Sequence, residues 1–421
     1  MSFPAGATKR ATTGILAASL AATALVGCGG SGSTTVDLDK GTGPIKVASI
    51  FSETGPANGY GLQDWEGTKI GVADINARGG VLGRKLDLTE VDGQSEVAKY
   101  TSTAMKFAQD PEIAVVHGGT LSADRAAMIP ILKEANKLYF YDSLYEGGTC
   151  DKNTFAVGET PSQQLAPVLK WAVDNGHKKW YILAADYVYG QISVKQAEIY
   201  AKEFGAEVVG GPTMFDLSVG NFTDTISKIQ ASGADTIVSF LVGTEQNNFY
   251  KQWAASGLNK TTKVVSPVFG PGSEHEAVGA AGKGVILAAK YFEELPGAKN
   301  QEFVKLVRDS GYKGYITSQL AGAYMGWKLW AKAVEKAGSF DRDKVLKALE
   351  SGITYDGPSG TIQMDGPSHH TLTPMYIGES TGQGGFKVLE GPIPFKNFEP
   401  TFEQQKCDLI KNPGTSQQFQ P

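Results

Sequence analysis

From residue 45 onward, short apolar runs alternate with stretches whose apolar residues recur every three or four positions. Residues 46–52, 85–91, 112–117 and 137–141 predict buried strands, and 60–77, 97–109 and 122–135 predict the helices between them. Such alternation implies a mostly parallel sheet covered by helices on both faces. The pattern then restarts. Strands are predicted at 179–184, 206–210, 235–241, 263–267 and 284–289, separated by helices at 191–204, 222–232 and 245–256. Two βα series of similar size imply an α/β chain of two lobes with a cleft between them. In open α/β sheets the ligand site lies outside the carboxyl ends of the strands, which places it in that cleft. The last third reads as helices at 301–310, 318–337 and 342–351, with 360–364 and 374–378 expected to form a hairpin. These segments must return to sheets already built, so the chain crosses between lobes more than once, as a hinge for closure requires.

The amino terminus changes the picture. Lys9 and Arg10 precede an apolar run over 14–26, of signal-peptide length and short of the roughly 20 residues of a spanning helix. It closes on Leu25-Val26-Gly27-Cys28, which resembles the lipobox of a bacterial lipoprotein. There cleavage falls before the cysteine, whose sulfur is acylated; the alternative is a plain secretory signal. Gly29-Gly30-Ser31-Gly32-Ser33 follows as a flexible tether. Residues 1–27 are therefore expected to be a signal peptide and 28–44 a tether. The protein is expected on the extracytoplasmic face of the bacterial cell membrane, lipid-anchored through Cys28.

Composition excludes other classes. The 421 residues carry a net charge of −5, with Lys+Arg 39 against Asp+Glu 44 interspersed, so no nucleic-acid groove is indicated. Beyond Cys28 only Cys150 and Cys407 remain. Outside the cytoplasm two such cysteines can persist as a disulfide, tying the tail to the loop around residue 150. No Cys/His spacing for zinc is present. His369, His370 and the run Glu274-His275-Glu276 have no nucleophile at recognisable spacing and are expected to be solvated in polar turns. No catalytic residue, metal or cofactor is expected, and the chain is not read as an enzyme. The six tryptophans are expected in the core or on lobe faces.

A family resemblance is carried by Ser52-Glu53-Thr54-Gly55-Pro56, residues 67–76, Gly79-Gly80-Val81-Leu82-Gly83-Arg84 and Asp92-Gly93-Gln94-Ser95. In that order these segments resemble the branched-chain amino-acid-binding family of ABC-transporter receptors, which implies a type I periplasmic binding protein fold over about 45–395. Tyr145-Glu146-Gly147-Gly148-Thr149-Cys150, Pro161-Ser162-Gln163-Gln164, Ala185-Asp186-Tyr187-Val188-Tyr189, Val242-Gly243-Thr244 and 358–364 with His370 resemble the urea- and short-chain-amide-binding subgroup more narrowly. The chain departs from that subgroup at 186–191, where members of the subgroup carry proline and arginine after the second tyrosine, and at Asp142, where they commonly have a proline. On this reading 45–163 and 292–343 form lobe 1, 164–291 and 344–395 form lobe 2, and 396–421 is a tail.

Gly118-Gly119-Thr120-Leu121-Ser122 stands at a predicted strand end just before a helix, where glycine admits close approach and free N–H groups favour a carbonyl or carboxylate. The resemblance implies that Thr120 and Ser122 contact ligand; Ser122 is also placed to cap the helix. Tyr141, Ser143 and Tyr145 at the neighbouring strand end can wall a small pocket or serve as packing. From lobe 2 come Tyr187 and the pair Gly243 and Glu245. Glu245 matches the place where amino-acid-binding relatives set a glutamate on the α-ammonium, and it is equally a residue favoured at a helix start. The resemblance implies a receptor for urea or a short aliphatic amide that feeds ABC permease subunits. The alternatives are a receptor for branched-chain or other amino acids, and a ligand-sensing lipoprotein that serves no importer.

Overall fold

A computed structural model describes residues 36–394 and 407–418, so the signal segment, Cys28, the tether to residue 35 and residues 395–406 lie outside the described residues. The first series runs β1 (Ile45–Phe51), α1 (Asn58–Ala77), β2 (Leu86–Asp92), α2 (Val97–Gln109), β3 (Ile113–Gly118), α3 (Ser122–Glu134) and β4 (Leu138–Tyr141). Two short strands, β5 (Cys150–Asp151) and β6 (Thr154–Ala156), precede α4 (Pro161–Gln164) and α5 (Ala166–Asp174). The second series is β7 (Lys179–Ala185), α6 (Val188–Phe204), β8 (Glu207–Phe215), α7 (Thr223–Ser232), β9 (Thr236–Phe240), α8 (Thr244–Ala255), β10 (Lys263–Val265), α9 (Glu274–Val278) and β11 (Ile286–Ala289). Three helices follow, α10 (Ala298–Asp309), α11 (Ser318–Ala337) and α12 (Arg342–Glu350). The chain ends in β12 (Thr354–Gly357), β13 (Gly360–Asp365), β14 (His370–Leu372), β15 (Met375–Ser380), β16 (Phe386–Ile393) and β17 (Ser416–Gln417).

These strands form two α/β sheets, ordered β12-β13-β14-β6-β4-β3-β1-β2 and β16-β15-β11-β10-β9-β7-β8. The strands of the two βα series pair in parallel, and antiparallel strands complete one edge of each sheet. Central β1 is almost wholly buried, whereas edge strand β2 is largely exposed, which is why the first reads as a continuous apolar run. In the first lobe Tyr100, Phe107, Met128 and Leu132 cover one sheet face. Ile70, Leu320, Trp327 and Trp330 cover the other, from α1 and α11. Those two helices approach closely at Gly67, where a Cβ would stand 2.2 Å from the Leu320 carbonyl oxygen. In the second lobe Val168, Leu169, Ala197 and Tyr200 cover one face, and Phe222, Ile229, Phe249 and Trp253 the other.

The last third departs from the sequence reading. Residues 360–364 and 374–378 are not a hairpin: β13 pairs with β12 and β14, while β15 pairs with β11 and β16 in the other sheet. The boundary at 344 moves as well. β14 adds to the first sheet through His370 opposite Ala156, and α12 packs on α11, so 344–372 belong with the first lobe. The chain's last return to the second lobe falls between Leu372 and Met375. Local pattern cannot distinguish these outcomes, because a short strand at the edge of either sheet looks alike in sequence.

Cys150 and Cys407 are bonded, with Cα atoms 5.8 Å apart. The bond holds a segment whose β17 pairs with β5 and whose Leu409 is fully buried. Among the described residues no helix is long and apolar enough to cross a membrane.

Candidate functional site

β3 ends at Gly118, and Gly119 turns the chain with φ +85°, a conformation that favours glycine. A Cβ there would also lie 2.8 Å from the Tyr139 hydroxyl. The start of α3 is capped by Asp124, not by Ser122: Asp124 Oδ2 accepts from Leu121 N at 2.8 Å and Thr120 N at 3.3 Å. Ser122 is thereby free for another role. Its Oγ donates to Glu146 Oε2 at 2.7 Å, and the other carboxylate oxygen takes the Arg125 guanidinium. This pair is buried, with side chains 2% and 0% exposed. Burial alone would lower the Arg125 pKa, but the adjacent Glu146 charge outweighs it and the net direction is upward. The guanidinium also stands 5.0 Å from the Tyr141 ring centre and 4.5 Å from that of Tyr145.

At the end of β4, Tyr141 donates to the Thr120 carbonyl at 3.3 Å. Ser143 Oγ lies 2.8 Å from Asp64 Oδ2 of α1 and 3.2 Å from the Gly119 carbonyl. Gln319, the second residue of α11, donates Nε2 to Asp64 Oδ2 at 2.9 Å and to Ser143 Oγ at 2.7 Å. Burial first, and the nearby Asp142 second, push the Asp64 carboxyl well above its ordinary value. Thr120 Oγ1 accepts from Ser52 N at 3.0 Å and is 3.2 Å from the Tyr100 hydroxyl.

Between the lobes lies a small cavity of about 20 Å³. From the first lobe Tyr60, Thr120, Leu121, Ser122, Tyr141, Ser143, Leu144 and Gln319 line it; from the second come Tyr187, Tyr189, Val242 and Val268. The lobes touch around it. Tyr60 Oη donates to the Val268 carbonyl at 2.9 Å, and Gln196 Nε2 donates to the Glu146 carbonyl at 3.2 Å. With Tyr60 5%, Tyr141 1% and Tyr189 3% exposed, this is a closed cleft.

The cleft thus gathers Thr120, Ser122, Tyr141, Ser143 and Tyr187 in one lining. Tyr145 lies one layer behind, its hydroxyl bonded to His370 Nε2. Gly243 precedes α8 with φ +68° and stands outside the lining. Glu245 is also outside it. Its Oε1 accepts from Val242 N at 3.1 Å, closing the start of its own helix, while Oε2 has no partner. Burial raises its pKa to about 8, and that single backbone hydrogen bond offsets only part of the cost. His369, His370 and His275, expected to be solvated, are instead buried. His369 stacks on Phe155 at 4.3 Å, and burial depresses His370 to about 3 and His275 to about 4. The turns that carry them are covered by the neighbouring strands and rings, which a polar local sequence does not reveal.

Tyr60, Leu144, Val268 and Gln319 were not singled out by the sequence reading. Tyr60 and Gln319 sit on helices whose facing depends on α1–α11 packing, and Val268 lies in a loop after β10. The one available signal was a polar Gln319 just before the apolar run of α11.

Comparisons with known proteins agree with this architecture. The family model described as periplasmic binding protein matches residues 44–385. Leu/Ile/Val-binding protein homolog 6 of Brucella abortus (strain 2308) is 26% identical over 322 residues, covering 74% of this chain and 80% of its own length. A solute-binding protein of an ABC transporter from R. palustris, solved in complex with 4-hydroxybenzoate, superposes with a TM-score of 0.75 at 24% identity, covering 82% of this chain and 96% of that one. A leucine-binding protein from Thermotoga maritima MSB8 does so with a TM-score of 0.73 at 21% identity, covering 82% and 98%.

Proposed function

This chain belongs to the periplasmic binding protein family, and we propose that it serves as the extracytoplasmic receptor of an ABC importer, closing on urea or a short-chain aliphatic amide. The observation that carries the ligand class is the lining itself, which offers hydroxyls, one carboxamide and aliphatic carbon but no charged side chain. A solute desolvated there needs a partner for each polar group and gains nothing from a formal charge. Ser122 opens α3 and lines the cleft, so its backbone N–H is the helix-start donor for the ligand carbonyl. Tyr187 and Tyr189 close over it from the second lobe.

An amino-acid receptor is the second reading. It is favoured by the unpartnered Oε2 of Glu245 beside Val242, and by the Leu/Ile/Val-binding names of curated relatives. It requires Glu245 to ionise and turn to the cleft, against the burial that raises its pKa to about 8.

Thermal shift of residues 34–421 against urea, formamide, acetamide, propionamide, leucine, valine, glutamate and 4-hydroxybenzoate separates the readings. Ligand at about 100 times its Kd adds roughly 2.7 kcal/mol of stability. A response to urea or amides alone supports the proposal, and a response to leucine or valine alone replaces it with the amino-acid reading. Attachment to the membrane through acylated Cys28 is part of the proposal. Cys28→Ser is expected to move the protein to the soluble fraction with binding intact, and retention on membranes would reject the anchor.

A further inference from the structure

We infer that Gln319 is the specificity-determining residue of the cleft, its carboxamide oxygen a preset acceptor that admits solutes bringing an N–H donor and rejects isosteres lacking one. The inference rests on the reading of the cleft as a solute site and goes beyond it to the residue that does the selecting.

A carboxamide has two N–H donors, and both of Gln319's are spent, on Asp64 Oδ2 at 2.9 Å and Ser143 Oγ at 2.7 Å. Ser143 Oγ is itself within 2.8 Å of the same Asp64 oxygen, so the three side chains form a closed ring of contacts. Rotating the amide by half a turn would set Oε1 against Asp64 Oδ2, which already accepts from Ser143, and would give up the nitrogen's bond to that oxygen. The network therefore assigns which end is oxygen. Gln319 is 0% exposed and lines the cleft, and its Oε1 has no partner. A buried acceptor of that kind is costly unless the occupant supplies a donor.

Position strengthens the case. Asp64 is on α1, Ser143 follows β4 and Gln319 opens α11, all in the first lobe. The acceptor is thus oriented before the second lobe closes, and no side chain of the second lobe sets its direction. Most other lining hydroxyls already have partners: Tyr60 donates to Val268, Tyr141 to Thr120, Ser122 to Glu146. Gln319 Oε1 is the lining acceptor that is both buried and unused.

The test compares acetamide with acetone, which replaces the NH₂ by a methyl group of similar size. Calorimetry on the wild type is expected to favour acetamide by about tenfold to a hundredfold. In Gln319→Met that preference is expected to collapse toward unity, with the absolute affinity for acetone little changed. A merely structural role for Gln319 would weaken both ligands together and leave the ratio intact, which would overturn the inference. So would a wild type that binds acetone as tightly as acetamide, a measurement that needs no variant to fold. If leucine binds and acetamide does not, the amide reading fails separately. Leucine against 4-methylpentanoate then provides the donor-deleted pair, judged by the same ratio. Binding of neither pair by the wild type overturns both the reading and the inference.

Discussion

The two walls of the cleft are built differently. Behind the first-lobe wall lies a continuous buried polar layer: Ser122 on Glu146 and Arg125, Ser143 and Gln319 on Asp64, and His117 on Asp142 at 2.9 Å between the stacked rings of Phe140 and Trp327. The second-lobe wall is Tyr187, Tyr189, Val242 and Val268, and the carboxylate nearest it, Glu245, is folded back onto its own helix start. A wall braced by charges and carboxamides in fixed geometry can discriminate among polar groups, because each group is already oriented. An aromatic and aliphatic wall excludes water and strengthens whatever the first wall does. On the function proposed above, the first lobe would read the solute and the second would seal it.

The strongest way to break this contrast is to remove the brace. Arg125→Met leaves Glu146 charged and buried without its partner, and is expected to cost about 3–5 kcal/mol of stability, read from the denaturant midpoint. A loss under about 1 kcal/mol would mean that the first wall does not depend on its ion pair. Ser122→Ala takes the hydroxyl off both the cleft and Glu146, and ligand affinity is expected to fall by about 1–3 kcal/mol in calorimetry. An unchanged Kd would leave Ser122 a bystander. On the sealing wall, Tyr187→Phe keeps the ring and removes only the hydroxyl, so about 0.5–1.5 kcal/mol of binding is expected to go. An effect larger than that of Ser122→Ala would reverse the roles assigned to the lobes.

A separate effect concerns pH and Glu245. Its carboxyl is raised from an ordinary 4.5 to about 8 in the folded state, so the folded protein holds a proton that the unfolded chain releases. The associated stability is fully present below the unfolded value and is lost as pH rises through about 8. Glu245→Gln, which cannot ionise, is expected to flatten that decline in a series of melts from pH 5 to 9. An unaltered slope would show that Glu245 is not buried in its uncharged form.

Much of this was readable from the chain alone. Lys46, Glu112 and Lys179 each open or immediately precede a run of buried apolar residues, and the helices between those runs carry apolar residues at helical spacing. Thr120, Ser122, Tyr141 and Ser143 were reachable because carboxyl ends of parallel strands converge on one edge of the sheet. What those residues do there was not reachable. Ser122 was expected to meet ligand and was also placed to cap its helix, yet Asp124 makes the cap and Ser122 answers to Glu146, whose position depends on how residues 142–149 fold back. Glu245 fitted an ammonium partner and a helix-start residue equally, and its bond from the Val242 amide is of the second kind. His370 looked solvated in a polar turn and is buried against Tyr145.

The sequence by itself determined the two βα series, the cleft between them and the strand ends that face it, because periodicity and burial are local consequences of where apolar residues fall. The tertiary structure alone decided that 354–372 complete the first sheet, that Tyr60 and Gln319 join the lining, and that Glu245 stays out of it. The physical reason is that edge pairing, helix facing and the choice of hydrogen-bond partner are settled between segments far apart in the chain. Asp64, Ser143 and Gln319 meet only after three separate elements have packed.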